Sequence, residues 1–145
     1  HYLVYQAPFG RFGSIICFDL DFLTSARSVA KLGAQVIAVS SNDVQGIADK
    51  HYTHLVFRSI ETRTSTVKAD STYDSAAIDP YGRILARHIT PDGSAYTLVT
   101  DVPVGSGKSP YVSLGDWLGW VALAATVGFG VLSLVTRFRR RDEDA

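Results

Sequence analysis

The chain has 145 residues, a single cysteine and no methionine, and its 14 basic side chains balance its 14 acidic ones. A formal charge of zero removes the electrostatic case for a nucleic-acid binder, and one thiol excludes an internal disulfide framework. The length suits about one domain, and a chain that opens on His1 rather than methionine reads as the C-terminal piece of a longer protein.

Residues 1–8 are aromatic and apolar (Tyr2, Leu3, Val4, Tyr5) and read as a strand entering a turn at Gly10 and Gly13. The apolar run 14–18 reads as a second strand, which delivers Cys17 directly before the acidic, turn-like segment of Asp19 and Asp21. From 22 to 32 the apolar positions Phe22, Leu23, Ala26, Val29, Ala30 and Leu32 follow the helical period. Thr24 or Ser25 serves as N-cap there, and Gly33 is the stop. Residues 35–40 are β-branched and almost continuously apolar, which suits a strand buried on both faces of a layered α/β protein. Strand, helix and strand in this order predict a right-handed crossover.

The second of these strands ends in Ser40, Ser41, Asn42 and Asp43, small polar residues at the strand end where open α/β folds place ligands. A turn or cap is the simpler role for Asn42, the only asparagine of the chain. A helix follows over 49–63, with Leu55, Val56 and Ile60 on its apolar face and Arg58 spaced to pair with Glu61. His51 and His54 share this helix, but two imidazoles without a third ligand point to packing or solvation before a metal. Period-two runs at 66–69 and 75–79, a Pro/Gly turn at 79–83, and runs at 84–89 and 95–102 predict successive antiparallel strands.

The composition then shifts. Residues 1–104 read as one domain, 105–116 as a linker opened by a Gly/Ser/Pro stretch, 117–136 as a transmembrane helix and 137–145 as a charged tail. The span 117–136 carries no charge and has the length needed to cross about 30 Å of hydrocarbon. Trp117 and Trp120 stand at one end, and Arg137, Arg139, Arg140 and Arg141 at the other. That polarity predicts a cytoplasmic C-terminus, with everything before Trp117 on the outer face of the membrane.

The chemistry centres on Cys17. A free thiol is mostly protonated at neutral pH, so a nucleophilic cysteine needs a base or a nearby cation. Acyl transfer also needs donors aimed at the oxyanion, and the backbone N–H of Phe18 in the turn after the strand is one candidate. No base is evident: Arg58 or Arg63 can claim Glu61, and nothing in the sequence orients His51 or His54.

Five segments in order carry a resemblance. They are residues 10–22 around Cys17, Ser41-Asn42-Asp43, the helix end 57–63, the segment 77–84, and Ser109-Pro110-Tyr111 followed by Gly115-Asp116-Trp117 and an apolar helix. Together they resemble the carbon–nitrogen hydrolase (nitrilase) superfamily and, within it, the apolipoprotein N-acyltransferase branch. The resemblance implies the C-terminal part of an α/β fold, an α-β-β-α sandwich, and a Glu–Lys–Cys triad in which Cys17 matches the nucleophile. It implies that the Glu and Lys precede this segment, since Lys31, Lys50, Lys68 and Lys108 all follow the cysteine. It further implies a thioester on Cys17 made from a phospholipid acyl donor and passed to the N-terminal amine of a lipoprotein acceptor, with no cofactor and no metal. Asp19 stands where that branch has a glutamate, which assigns it a supporting carboxylate role, and Asn42 and Asp43 fall on the substrate side.

Two segments depart from that pattern: Val44-Gln45-Gly46 replaces a Trp-Phe-Gly segment, and Ser71-Thr72-Tyr73-Asp74 replaces an Asn-Thr-Gly segment. An amidase acting on a small amide, or a non-catalytic membrane-tethered binding domain, are therefore alternatives, and the fragment alone is expected to be inactive.

Overall fold

The computed structural model of the chain describes residues 1–143; Asp144 and Ala145 of the expected tail 137–145 lie outside the described residues. It holds two units, one of residues 1–113 and one from Leu114 onward.

The first unit is a six-stranded sheet in the order β1-β2-β3-β4-β5-β6. β1 (Val4–Ala7) pairs antiparallel with β2 (Gly10–Ile16), and β2, β3 (Val36–Ser41) and β4 (Ser65–Asp70) run parallel. β5 (Asp74–Ile78) and β6 (Ile84–Ile89) close the sheet antiparallel. The two parallel pairings need long crossovers, which α1 (Leu23–Lys31) and α2 (Gln45–Thr62) supply. Alternation along the strands sends Ile15, Ile37, Val39, Ala76 and Ile78 to the helix side, where they bury against Ala26, Val29 and Leu55. The intervening Ile16 and Val67 remain exposed.

Several boundaries differ from the sequence reading, each for a local reason. The strand expected at 14–18 starts at Gly10 and stops at Ile16, because Cys17 adopts φ 42 and leaves the ladder to open a 3-10 turn, Cys17–Asp21. Neither Thr24 nor Ser25 caps α1: Phe22 is the N-cap with no side-chain bond, while Ser25 is buried and accepts a 2.9 Å hydrogen bond from the Tyr2 hydroxyl. α2 begins at Gln45, not 49, and ends where Arg63 turns left-handed at φ 57. Residues 95–102 are not a strand. Alternation predicts extended backbone but not a ladder partner, and this segment instead lines a cavity of about 520 Å³ together with Val67, Ala69, Tyr73 and Ala77.

Residues 105–112 thread back over the first unit. Gly105 donates to the Gln35 carbonyl and Gly107 to the Arg63 carbonyl, the Ser109 hydroxyl bonds the Glu61 carbonyl, and Val112 is buried. Gly105 is obligatory, since a Cβ there would sit 2.3 Å from the Arg63 oxygen. After the short α3 (Pro110–Leu114), α4 runs Trp117–Glu143. Its segment Trp117–Arg137 is long and apolar enough, by length and composition, to cross a membrane: 21 residues at about 1.5 Å each reach about 30 Å.

Candidate active site

Cys17 sits where β2 breaks. A positive φ at a non-glycine residue is strained, and such strain concentrates at functional turns. The turn is tied down locally by Asp19, whose Oδ2 accepts from the Ile16 backbone N–H at 2.9 Å. It is also held from one face of α2, because residues 50, 51, 54 and 58 fall on neighbouring turns of that helix. Arg58 Nε donates to the Leu20 carbonyl at 3.1 Å, and Lys50 and His54 reach Asp21 at 3.1 and 2.7 Å. The Phe18 ring is exposed and packs edge-on against His51, with centroids 5.1 Å apart.

Behind the turn lies a buried polar hub centred on Asp43, at the C-terminal end of β3. Asp43 Oδ1 accepts from the Ser41 hydroxyl and from His51 Nδ1, each at 2.7 Å, and lies 3.5 Å from Cys17 Sγ. Its Oδ2 accepts from Lys68 Nζ at 2.5 Å. Lys68 also pairs with Asp70 at 3.3 Å, and Asp70 in turn accepts the Asp43 backbone N–H at 3.0 Å. The side chains of Asp43, His51, Lys68 and Asp70 are all fully buried. Ionised groups at such burial persist only when paired and hydrogen-bonded.

Burial pushes the Asp43 carboxyl up, but hydrogen bonds from Lys68, Ser41 and His51 and the Lys68 charge outweigh it, leaving Asp43 below the ordinary carboxylate range. Burial likewise raises Asp70, yet backbone N–H donors from Thr72, Tyr73 and Asp43 bring it down to about 2. On the far side of His51, Nε2 lies 3.4 Å from Asp21 Oδ1 without hydrogen-bond alignment and is buried with no hydrogen-bond partner among the described residues.

The expected site residues therefore separate. Cys17, Phe18, Asp19 and Asp43 come together around one turn. Asn42 lies at the exposed lip, its Oδ1 accepting from the Ser71 and Thr72 hydroxyls at 2.9 and 3.0 Å. Cys17, Asp43 and His51 also bring ligand-type atoms within 4.8 Å of one another. Lys68 and the His51 N–H already occupy both Asp43 oxygens, so this donor set does not fit a resident cation.

The chain matches known proteins. Residues 2–109 match the carbon-nitrogen hydrolase family model. The chain belongs to the carbon–nitrogen hydrolase family. It is 31% identical over 136 residues to an apolipoprotein N-acyltransferase of Geobacter metallireducens, a match covering 91% of this chain and 25% of that protein. It is 32% identical over 101 residues to a deaminated glutathione amidase of Dictyostelium discoideum, covering 62% of this chain and 34% of the other. Among solved structures it is similar to Saccharomyces cerevisiae Nit3, a nitrilase-superfamily member. That match has a TM-score of 0.54 and 20% identity over 59% of this chain and 36% of that one. The chain thus spans about a quarter of the length of the N-acyltransferase it matches.

As a carbon–nitrogen hydrolase family member the chain carries an enzyme fold, and the hub around its cysteine escaped the sequence reading in part. In the sequence Lys68 is weighed only as a triad lysine, and His51 as packing, a weak ligand or a base that nothing orients. The available signal was period two: Thr66, Lys68 and Asp70 alternate with Val67 and Ala69, which turns a lysine and an aspartate toward the helix side.

Proposed function

We propose that the chain is part of a membrane-anchored N-acyltransferase in which Cys17 is the nucleophile. In this reading Cys17 sulfur attacks the ester carbonyl of a phospholipid, the lysophospholipid departs with a proton, and the acyl group stays on sulfur as a thioester. The N-terminal amine of a lipoprotein then attacks that thioester, releasing the thiol and forming an amide. The Phe18 N–H stabilises the oxyanion, Asp19 supports the turn through its bond to Ile16, and Asn42 at the exposed lip bounds the substrate side, while Asp43, expected there too, is buried behind the thiol. A Glu and a Lys from another part of the polypeptide serve as base and oxyanion partner.

The observation that carries the reading is coverage: the likeness to an N-acyltransferase extends over 91% of the chain, against 62% for the amidase. The apolar segment Trp117–Arg137 supports a membrane location. The arginines after it support a cytoplasmic C-terminus and a catalytic domain on the outer face of a bacterial inner membrane. Residues 1–104 would be the hydrolase-type domain, 105–116 its exit, and 117–136 the anchor.

The test uses the full-length polypeptide in membranes given a phospholipid labelled in its acyl chain. Thioester label is expected on the Cys17 peptide, and Cys17→Ala should lower acyl transfer by at least about a thousandfold, as for loss of a nucleophile. Acyl transfer that survives the substitution, or ammonia release from a small amide without acyl label, would overturn it in favour of another activity.

A further inference from the structure

The buried hub lies directly beneath the thiol, and its geometry is more than packing. Asp43 Oδ1 faces Cys17 Sγ at 3.5 Å, Ser41 and His51 fix that oxygen, and Lys68 fixes the other. Asp70 holds the Asp43 backbone N–H, so neither the main chain nor the carboxylate is free to rotate. We propose that Asp43 is a positioning residue for Cys17: its carboxylate, locked at Oδ1 by His51 and Ser41 and at Oδ2 by Lys68, accepts the thiol hydrogen through Oδ1 and holds the sulfur in one orientation at the mouth of the turn. This rests on Cys17 being the nucleophile.

Asp43 orients the thiol without removing its proton. Its carboxyl is already saturated with donors and lies below the ordinary range because hydrogen bonds and the Lys68 charge outweigh burial, which makes it a weak proton acceptor. Its fixed negative charge opposes thiolate formation a few ångströms away. Proton removal is thus left to a separate base. The groups facing Asp43 are Cys17 from the 3-10 turn, Ser41 from its own strand, His51 from α2, and Lys68 and Asp70 from β4; Asp21 lies beyond His51. Asp43→Asn removes one charge from this set and keeps the shape of the side chain.

The experiment is the pH profile of Cys17 alkylation by iodoacetamide in the full-length polypeptide, read by mass spectrometry of the Cys17 peptide. Asp43→Asn should move the midpoint down by about one pH unit and raise the rate at pH 7 about tenfold, since thiolate is the reacting form. A profile that coincides with the native one overturns the proposal.

Should Asp43→Asn fail to fold, two His51 variants carry the test. His51→Asn keeps an N–H where Nδ1 stands and should retain the native profile. His51→Leu removes a donor from Oδ1, which then accepts the thiol hydrogen more strongly, and should move the midpoint up. Identical profiles for His51→Leu and the native protein overturn the proposal. Cys17→Ala is run beside them: if it abolishes acyl transfer while the profiles stay fixed, only the positioning role fails. If acyl transfer survives it, the functional reading fails and the proposal with it.

Discussion

The two ends of α2 solve the same problem with opposite chemistry. Both lie over β4, and both must satisfy polar side chains in a dry interface. At the C-terminal end the groups are neutral: the Ser59 and Thr66 hydroxyls meet at 2.6 Å, those of Thr62 and Thr64 at 2.7 Å, and all four residues are fully buried. Two residues along the same strand face, Lys68 meets Asp43 and Asp70, and His51 comes down from α2. Hydroxyl pairs satisfy each other at little desolvation cost, whereas charges must be paired to remain buried. The charged solution occurs beneath the cysteine and the neutral one away from it. If Cys17 is the nucleophile proposed above, charge is retained where its field and directionality act on the sulfur, and stability alone would favour the hydroxyls.

The largest expected effect comes from breaking the charged end. Lys68→Ala leaves Asp43 and Asp70 buried without their cation, and should cost about 3–5 kcal/mol by the usual magnitude for an orphaned buried charge. Chemical denaturation of the full-length protein near neutral pH measures it. A loss below about 1 kcal/mol would mean that the hub is no more demanding than the hydroxyl end.

A second difference between the two ends is pH. Asp70 is held at about 2 in the folded chain, below the about 3.9 of an unfolded aspartate. Its stabilisation is therefore complete above about pH 5 and fades as pH falls through about 4 toward 2. Asp43, also lowered, adds a loss of the same sign. Thermal melts taken from pH 6 down to pH 2 should fall steeply for the native protein and less steeply for Asp70→Asn. Parallel curves would remove Asp70 from the acid response.

The smallest effect belongs to the neutral end. Ser59→Ala strands the buried Thr66 hydroxyl and should cost about 1–2 kcal/mol, with no change between pH 4 and pH 8 because no titrating group is involved. Adding Thr66→Val removes the stranded partner and should recover part of the loss. If the Ser59→Ala cost proves as pH-dependent as the Asp70 response, the contrast between the two ends fails.

Much of the frame was legible in the residues. Apolar periodicity located α1, α2, β3, β5 and β6 to within a few positions, because burial on one face or both imposes a period that composition exposes. The strand expected at 95–102 failed for a related reason: alternation marks extended backbone, but a ladder also needs a neighbour. The cysteine and its family segment were likewise readable, being contiguous in the chain. The hub was not. His51 reads as a helix residue and Lys68 as a strand lysine, 17 positions apart, and beyond the alternation that sets Lys68 and Asp70 on one face of β4 neither carries a local sign of a partner.

What the sequence determined by itself was the fold class, the family, the cysteine at the end of β2 and the apolar helix. Each of these is written in short-range pattern or in ordered motifs. Only the tertiary structure decided what surrounds the sulfur. Parallel pairing of β2, β3 and β4 sets Ile16 beside Ser40 and Ser40 beside Ala69, so Cys17, Asp43 and Lys68 gather at one end of three adjacent strands. α2 then lowers His51 onto them. That convergence depends on strand order and register, which exist only once the long crossovers have closed.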